Sequence, residues 1–106
     1  MMAKVKITVV KRAAHKDLID IHIKKDFPRE FGACEKFGDG QEFVIEGFPG
    51  MPEGFPCDWA WADIQRDVVM IMFGGNPPWM EQSGAIVTCC SDGLRPVSFL
   101  VERIEE

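Results

Sequence analysis

The stretch from Trp59 to Phe73 is the feature that most limits what this chain can fold into. Trp61, Ile64, Val68 and Ile71 or Met72 run through it at 3.6-residue spacing, and backbone breakers stand on both sides. Upstream, Gly47 to Pro56 reads GFPGMPEGFP. Three glycines and three prolines there leave no path for a helix or a central strand. That segment is a loop, which Phe48, Met51 and Phe55 are expected to order. Asp58 is the expected N-cap of the helix. Gly74 and Gly75 supply its left-handed stop, and Asn76-Pro77-Pro78 prevents it from continuing. Val69, Met70 and Phe73 add apolar surface off the main stripe. A helix apolar on most sides is buried on most sides, so the spacing predicts a helix cradled by a curved sheet or one that forms an oligomer interface.

Strand signals supply the sheet. Lys4 to Val9 alternates polar and apolar, with Val5, Ile7 and Val9 on one buried face and the lysines on the other. Gln41 to Glu46 repeats the pattern with Phe43 and Ile45 inward. Ala85 to Cys90 is a third strand. Ser91-Asp92-Gly93-Leu94 is a turn with the Asp-Gly hairpin signal. Pro96 to Ile104 is the last strand, with Val97, Phe99 and Val101 on the inner face. Between the first two strands, His15 to Lys25 reads as a short helix that Asp26-Phe27-Pro28 stops, although Ile19 to Ile23 also alternates as a strand does. Phe31 to Gly40 is a loop. This order predicts an α+β fold in a single domain, 1–106: a small, mainly antiparallel sheet or open barrel packed on one principal helix, 59–73, with a shorter N-terminal helix.

Charge and hydropathy narrow the function classes. The formal net charge is -5. Nucleic-acid binders draw affinity from phosphate neutralisation. The basic N-terminal quarter, Lys4 to Lys25, is better read as solvated strand and helix faces, so no nucleic-acid partner is expected. The longest apolar run, Val68 to Phe73, is far short of the roughly 20 residues that span a bilayer, and MMAKVKITVVKR lacks a signal peptide's continuous apolar core. The expectation is a cytoplasmic protein with no membrane partner, its four cysteines mostly reduced.

Four motifs occur together: Gly40-Gln41-Glu42-Phe43; Pro52-Glu53-Gly54-Phe55-Pro56-Cys57-Asp58-Trp59-Ala60-Trp61-Ala62-Asp63-Ile64; Gly74-Gly75-Asn76 with Pro78-Trp79-Met80; and Cys89-Cys90-Ser91-Asp92-Gly93-Leu94-Arg95-Pro96-Val97. With them the chain resembles a family of short conserved hypothetical proteins of bacteria and archaea, over nearly its whole length. The resemblance implies no particular activity. Some members carry Cys-Pro-Asp where this chain has Cys-Cys-Ser-Asp, which implies that one cysteine of the pair suffices for any shared role.

The cysteines are the main candidate chemistry. Neighbouring strand residues point to opposite faces, so Cys89 and Cys90 are split: one sulfur goes to the core side and the other away. Cys57 precedes the main helix, where backbone N–H groups and the helix dipole favour thiolate, and Asp58 opposes that. Cys34 lies in a glycine-containing loop. One reading makes Cys34, Cys57 and Cys90 thiolate ligands of zinc or an iron–sulfur cluster, with Cys89, Asp92 or a histidine as the fourth; no closely spaced cysteine pair of the usual zinc pattern supports it. A second makes Cys57 or Cys90 an attacking thiol, with Cys90 or Cys34 resolving Cys57. The third is structural: free cysteines pack as small hydrophobes.

Trp59, Trp61 and Trp79 flank the main helix and its exit loop, where they can wall an apolar pocket, line an interface or simply pack. Arg95 can bind a carboxylate or phosphate, or pair with Asp92. His15 and His22 are read as surface residues, and Asp58, Asp63 and Asp67 as a solvated helix face. The sequence therefore predicts a small ligand-binding or accessory protein, a homo-oligomer, with a small-molecule pocket near the Cys57 loop and the Cys90–Arg95 turn. The proposed ligand-binding residues are Trp59, Trp61, Asp92 and Arg95. A metalloprotein and a thiol-dependent redox enzyme are the alternatives.

Overall fold

The computed structural model describes residues 3–105. Four strands and two helices follow in the order β1 (Lys4–Arg12), α1 (Lys16–His22), β2 (Glu42–Ile45), α2 (Asp58–Met72), β3 (Ala85–Cys89) and β4 (Val97–Glu105). The strands form one open sheet in the order β2-β1-β4-β3, with every neighbouring pair antiparallel. The open sheet, not the barrel, is what these residues build.

Alternation sets the faces. Val5, Ile7 and Val9 of β1, Phe43 and Ile45 of β2, and Val97, Phe99 and Val101 of β4 are all buried. The registers Ile7↔Phe43 and Ile7↔Val101 line these side chains up across the sheet. A one-residue slip would turn each strand's apolar set outward, so the core fixes the pairing. The opposite face carries Lys4, Lys6, Glu42, Glu46 and Glu102, linked by the pairs Lys4–Glu46, Lys6–Glu42 and Lys6–Glu102.

α2 covers the apolar face. Ala60, Ile64, Val68, Ile71 and Met72 are its buried residues. The expected stripe holds at Ile64, Val68, Ile71 and Met72, while Trp61 is only half-buried. The helix is not enclosed on most sides: Trp59 is 84% exposed and Phe73 62% exposed. It starts one residue earlier than its periodicity suggests, so Cys57, not Asp58, is the N-cap, and Asp58 lies in the first turn. At its other end Arg103 of β4 donates to the carbonyls of Ile71, at 2.6 Å, and Gly75, at 3.0 Å. A cation at a helix C-terminus is favourable. Gly84 makes room for that guanidinium. It has φ of +71°, and a Cβ there would stand 2.6 Å from Arg103 Nη2.

Two loop phenylalanines complete the core. Phe37 and Phe55 are buried and meet Phe43 and Phe99 edge-on or tilted, with ring centroids 4.9–6.4 Å apart. Of the three residues expected to order the 47–56 loop, only Phe55 does so. Phe48 is 82% exposed, and Met51 is also exposed. The burial of Phe37 had no signal in the loop's glycine content.

α1 is shorter than the 15–25 expected and has no buried residue. It rides on an arm that leaves the sheet after β1. Ala13 N–H bonds the Pro96 carbonyl and His15 N–H bonds the Leu94 carbonyl at the arm's base. Arg12 closes the neck by donating to the Cys34 carbonyl at 2.8 Å and to Asp39. The molecule measures 53 × 30 × 20 Å, with a radius of gyration of 15.3 Å. A compact chain of this length would have about 13 Å.

Candidate functional site

Of the site residues named from the sequence, Cys57, Trp59 and Trp61 stand at the first turns of α2. Cys57 occupies the N-cap in an extended conformation, and its Sγ accepts the Ala60 N–H at 3.4 Å. The thiol thus takes the place that a serine or aspartate oxygen usually fills. Beside it is a cleft of about 350 Å³ that opens to solvent, lined by Lys36, Pro56, Cys57, Asp58 and Trp59. Its volume lies at the lower end of small-molecule sites. Trp59 offers a bare indole, Lys36 an ammonium donor, Asp58 a carboxylate acceptor and Cys57 a thiol.

Trp61 does not share this cleft. Two residues on, the helix turns it toward the core, where its ring meets Phe55 at 5.8 Å. Asp92 and Arg95 lie elsewhere too. Asp92 Oδ1 accepts the N–H groups of Leu94 and Arg95, and Oδ2 accepts Arg95 Nε at 3.1 Å. Burial alone would raise the Asp92 carboxyl; the two N–H groups and the guanidinium outweigh it and hold the group below the ordinary carboxylate range. The Arg95 guanidinium also lies 4.4 Å from the centroid of Phe31, at the end of the arm. Asp92 on one side and Phe31 on the other make it a clamp between the 90–96 turn and the arm. Asp63, read as part of a solvated face, also holds this turn: its Oδ2 accepts Ser91 N–H at 2.7 Å and ties the turn to α2. Sequence spacing gave no sign of that bond, because it joins residues 28 apart.

The vicinal pair is split as strand parity requires. Cys89 ends β3 on the outer face and is exposed. Cys90 turns inward, packs against the core and accepts Val97 N–H through Sγ at 3.3 Å. Cys34 is half-buried and also packs against the core. All four thiols are free. Among the described residues, no three His, Cys, Asp or Glu side chains gather into a metal-holding group. The Cys57 sulfur instead faces the Ala60 N–H of the helix it caps, and the Cys90 sulfur faces the Val97 N–H across the turn.

A second groove, of about 530 Å³, runs between α1 and the arm's return, lined by Lys16, Ile19, Asp20, Glu30, Phe31 and neighbouring residues. Among the described residues, no helix is long and apolar enough to cross a membrane. No protein-family model, no curated protein and no solved structure matches this chain.

Proposed function

We propose that this chain works by binding rather than by catalysis, and that its ligand site is the cleft at the start of α2. The observation that carries the reading is Trp59. An indole left 84% exposed at a helix N-terminus forms a lip of the cleft that Lys36, Asp58 and Cys57 also line. An exposed aromatic ring beside one donor and one acceptor suits a small planar molecule with polar groups of both kinds on its edge. The ring would stack on Trp59, with Lys36 donating to its acceptors and Asp58 accepting from its donors.

The test is a fragment screen of small heteroaromatic compounds, read by tryptophan fluorescence and repeated with Trp59→Leu. Because Trp59 supports nothing in the core, Trp59→Leu is expected to melt within a degree or two of the wild type and to lose ligand quenching. A ligand that quenches both proteins equally, or binds without protecting Cys57 from iodoacetamide, would sink the assignment. Cys57 also lines this cleft, so the same alkylation series addresses the thiol reading. Selective modification of Cys57 over Cys34, Cys89 and Cys90 would favour a reactive nucleophile there.

A further inference from the structure

The arm, residues 13–36, is ordered without adding to the core. α1 has no buried residue, and ordering a segment costs conformational entropy. The arm is nevertheless pinned to the body on both limbs. On the outgoing limb the Ala13 and His15 N–H groups bond the Pro96 and Leu94 carbonyls. On the return, Arg12 donates to the Cys34 carbonyl at 2.8 Å, and the Arg95 guanidinium lies 4.4 Å from the Phe31 centroid. Phe27 meets Phe31 edge-on at 5.8 Å. The two limbs are thus anchored separately, and the groove of about 530 Å³ lies between them.

Ala14, Ile19, Phe31 and Ala33 give this groove apolar walls. Its volume falls within the range of small-molecule sites, roughly 300–1,000 Å³. Its charges are uneven: one ammonium, of Lys16, lines it against the carboxylates of Asp20, Glu30 and Glu35. Lys16 is engaged by Asp20 at 3.0 Å. Among the described residues, Glu30 and Glu35 have no ion-pair partner. Arg12, whose charge Glu35 feels at longer range, is taken up by Asp39 and the Cys34 carbonyl. Lys24, Lys25 and Arg29 line a separate hollow of only about 180 Å³, which shares Ile19 and Phe31 with the groove. An anion in the larger groove therefore meets repulsion, and two carboxylates are left for a cation.

We propose that this groove is a binding site for a small organic cation, an amine carried on a short hydrocarbon body. The body packs on Ile19, Phe31 and Ala33, and the ammonium donates to Glu30 and Glu35. Each half of that chemistry needs the other. Exposed ion pairs contribute little by themselves, so an inorganic cation gains little over water. A neutral hydrocarbon would cover the walls but leave the two carboxylates unpaired beside it. Because both limbs are anchored beforehand, little further ordering is needed when the ligand enters. Gly32 marks an open mouth: it lines the groove, and a Cβ there would meet no atom within 4 Å. The site is separate from the Trp59 cleft, and either reading can fail without the other.

The experiment is a titration of the whole isotope-labelled chain with phenethylamine, followed by NMR amide shifts. The amides of Ile19, Glu30, Phe31 and Gly32 are expected to move saturably, with half-saturation below about 10 mM. The phenylpropionate anion, which carries the same body on a carboxylate, and magnesium chloride are each expected to bind at least tenfold more weakly. Glu30→Gln combined with Glu35→Gln is expected to weaken the amine at least tenfold with unchanged far-UV dichroism, because both side chains are exposed. Gly32→Leu projects a side chain into the groove from a backbone outside the left-handed region, and is expected to weaken the amine to the same degree. No saturable shift at these amides, equal binding of the amine and the anion, or full affinity in either variant would each overturn the proposal. Shifts confined to residues 56–59 would put the amine in the Trp59 cleft and overturn it as well.

Discussion

Cys57 allows the structural and chemical roles of one thiol to be separated, because its Sγ both caps α2 and lines the cleft. Two terms set the cost of replacing it. The cap is a sulfur–amide contact at 3.4 Å, weaker than the oxygen caps whose loss to alanine costs about 1 kcal/mol, so about 0.5 kcal/mol is reasonable. The half-buried sulfur also packs against the core. At about 0.8 kcal/mol for a fully buried methylene-sized group, half burial adds roughly 0.4 kcal/mol. Cys57→Ala should therefore lose about 1 kcal/mol, which for a domain of this size lowers Tm by about 5 °C. Cys57→Ser loses the packing but gains a better cap, since a hydroxyl accepts more strongly, and should fall within about 0.5 kcal/mol of the wild type. Urea unfolding followed by tryptophan fluorescence measures both, with an unchanged m-value as the check that the transition is the same. If Cys57→Ser loses more than about 2 kcal/mol, the sulfur is core packing first and the capping argument is wrong. If Cys57→Ala matches the wild type, the contact with Ala60 contributes nothing. Either variant should abolish Cys57 alkylation, so reactivity and stability come apart in one series.

Arg103→Ala removes the Nη1 group that donates both to the Ile71 carbonyl in the last turn of α2 and to the Gly75 carbonyl just past it, and should cost roughly 2–3 kcal/mol, given charge-assisted bonds at a helix end; Arg103→Lys should recover only part, since an ammonium lacks the fixed, planar donor geometry of the guanidinium that holds Nη1 between Ile71 and Gly75. Thermal melting measures both. Asp92 and Asp39 each sit below the ordinary carboxylate value of 3.8. For Asp92 the turn N–H groups and Arg95 overcome the effect of burial, and for Asp39 the hydrogen bond and charge of Arg12 do so. A depressed carboxyl contributes stability that is complete above the unfolded value and lost as pH falls through the folded one. Tm should therefore hold near neutrality and fall from about pH 4 downward, and Asp39→Asn with Asp92→Asn should flatten that decline. A decline of unchanged slope in the double variant would refute the assignment.

What could be read from the sequence is what depends on local period. The alternation of Lys4 to Val9 and of Pro96 to Ile104 identified inward faces that the structure buries at Val5, Ile7, Val9, Val97, Phe99 and Val101. The Gly47–Pro56 and Gly74–Pro78 breakers bracketed α2 to within one residue at each end. What could not be read depends on contacts between distant residues. Phe37 and Phe48 both sit in glycine-bearing loops, yet one is buried and the other bare. The difference lies in whether Phe43, Phe55 and Phe99 offer a socket, which no local pattern encodes. Asp63 looked like one more acid on a wet helix, but it accepts a backbone N–H from a turn 28 residues away.

The same division explains the thiols. Parity correctly separated Cys89 from Cys90, because parity is a property of one strand. Convergence of Cys34, Cys57 and Cys90 would have been a property of three segments at once. Each of the last two sulfurs instead satisfies a nearby amide: Ala60 N–H for Cys57 and Val97 N–H for Cys90. A buried or half-buried N–H must find an acceptor, and in both places the side chain within reach is a cysteine at the end of an element. Their local duty is thus capping and turn closure. That leaves Cys57, which has cleft space beside it, as the thiol whose replacement tests chemistry, while Cys89 lies exposed at the end of β3.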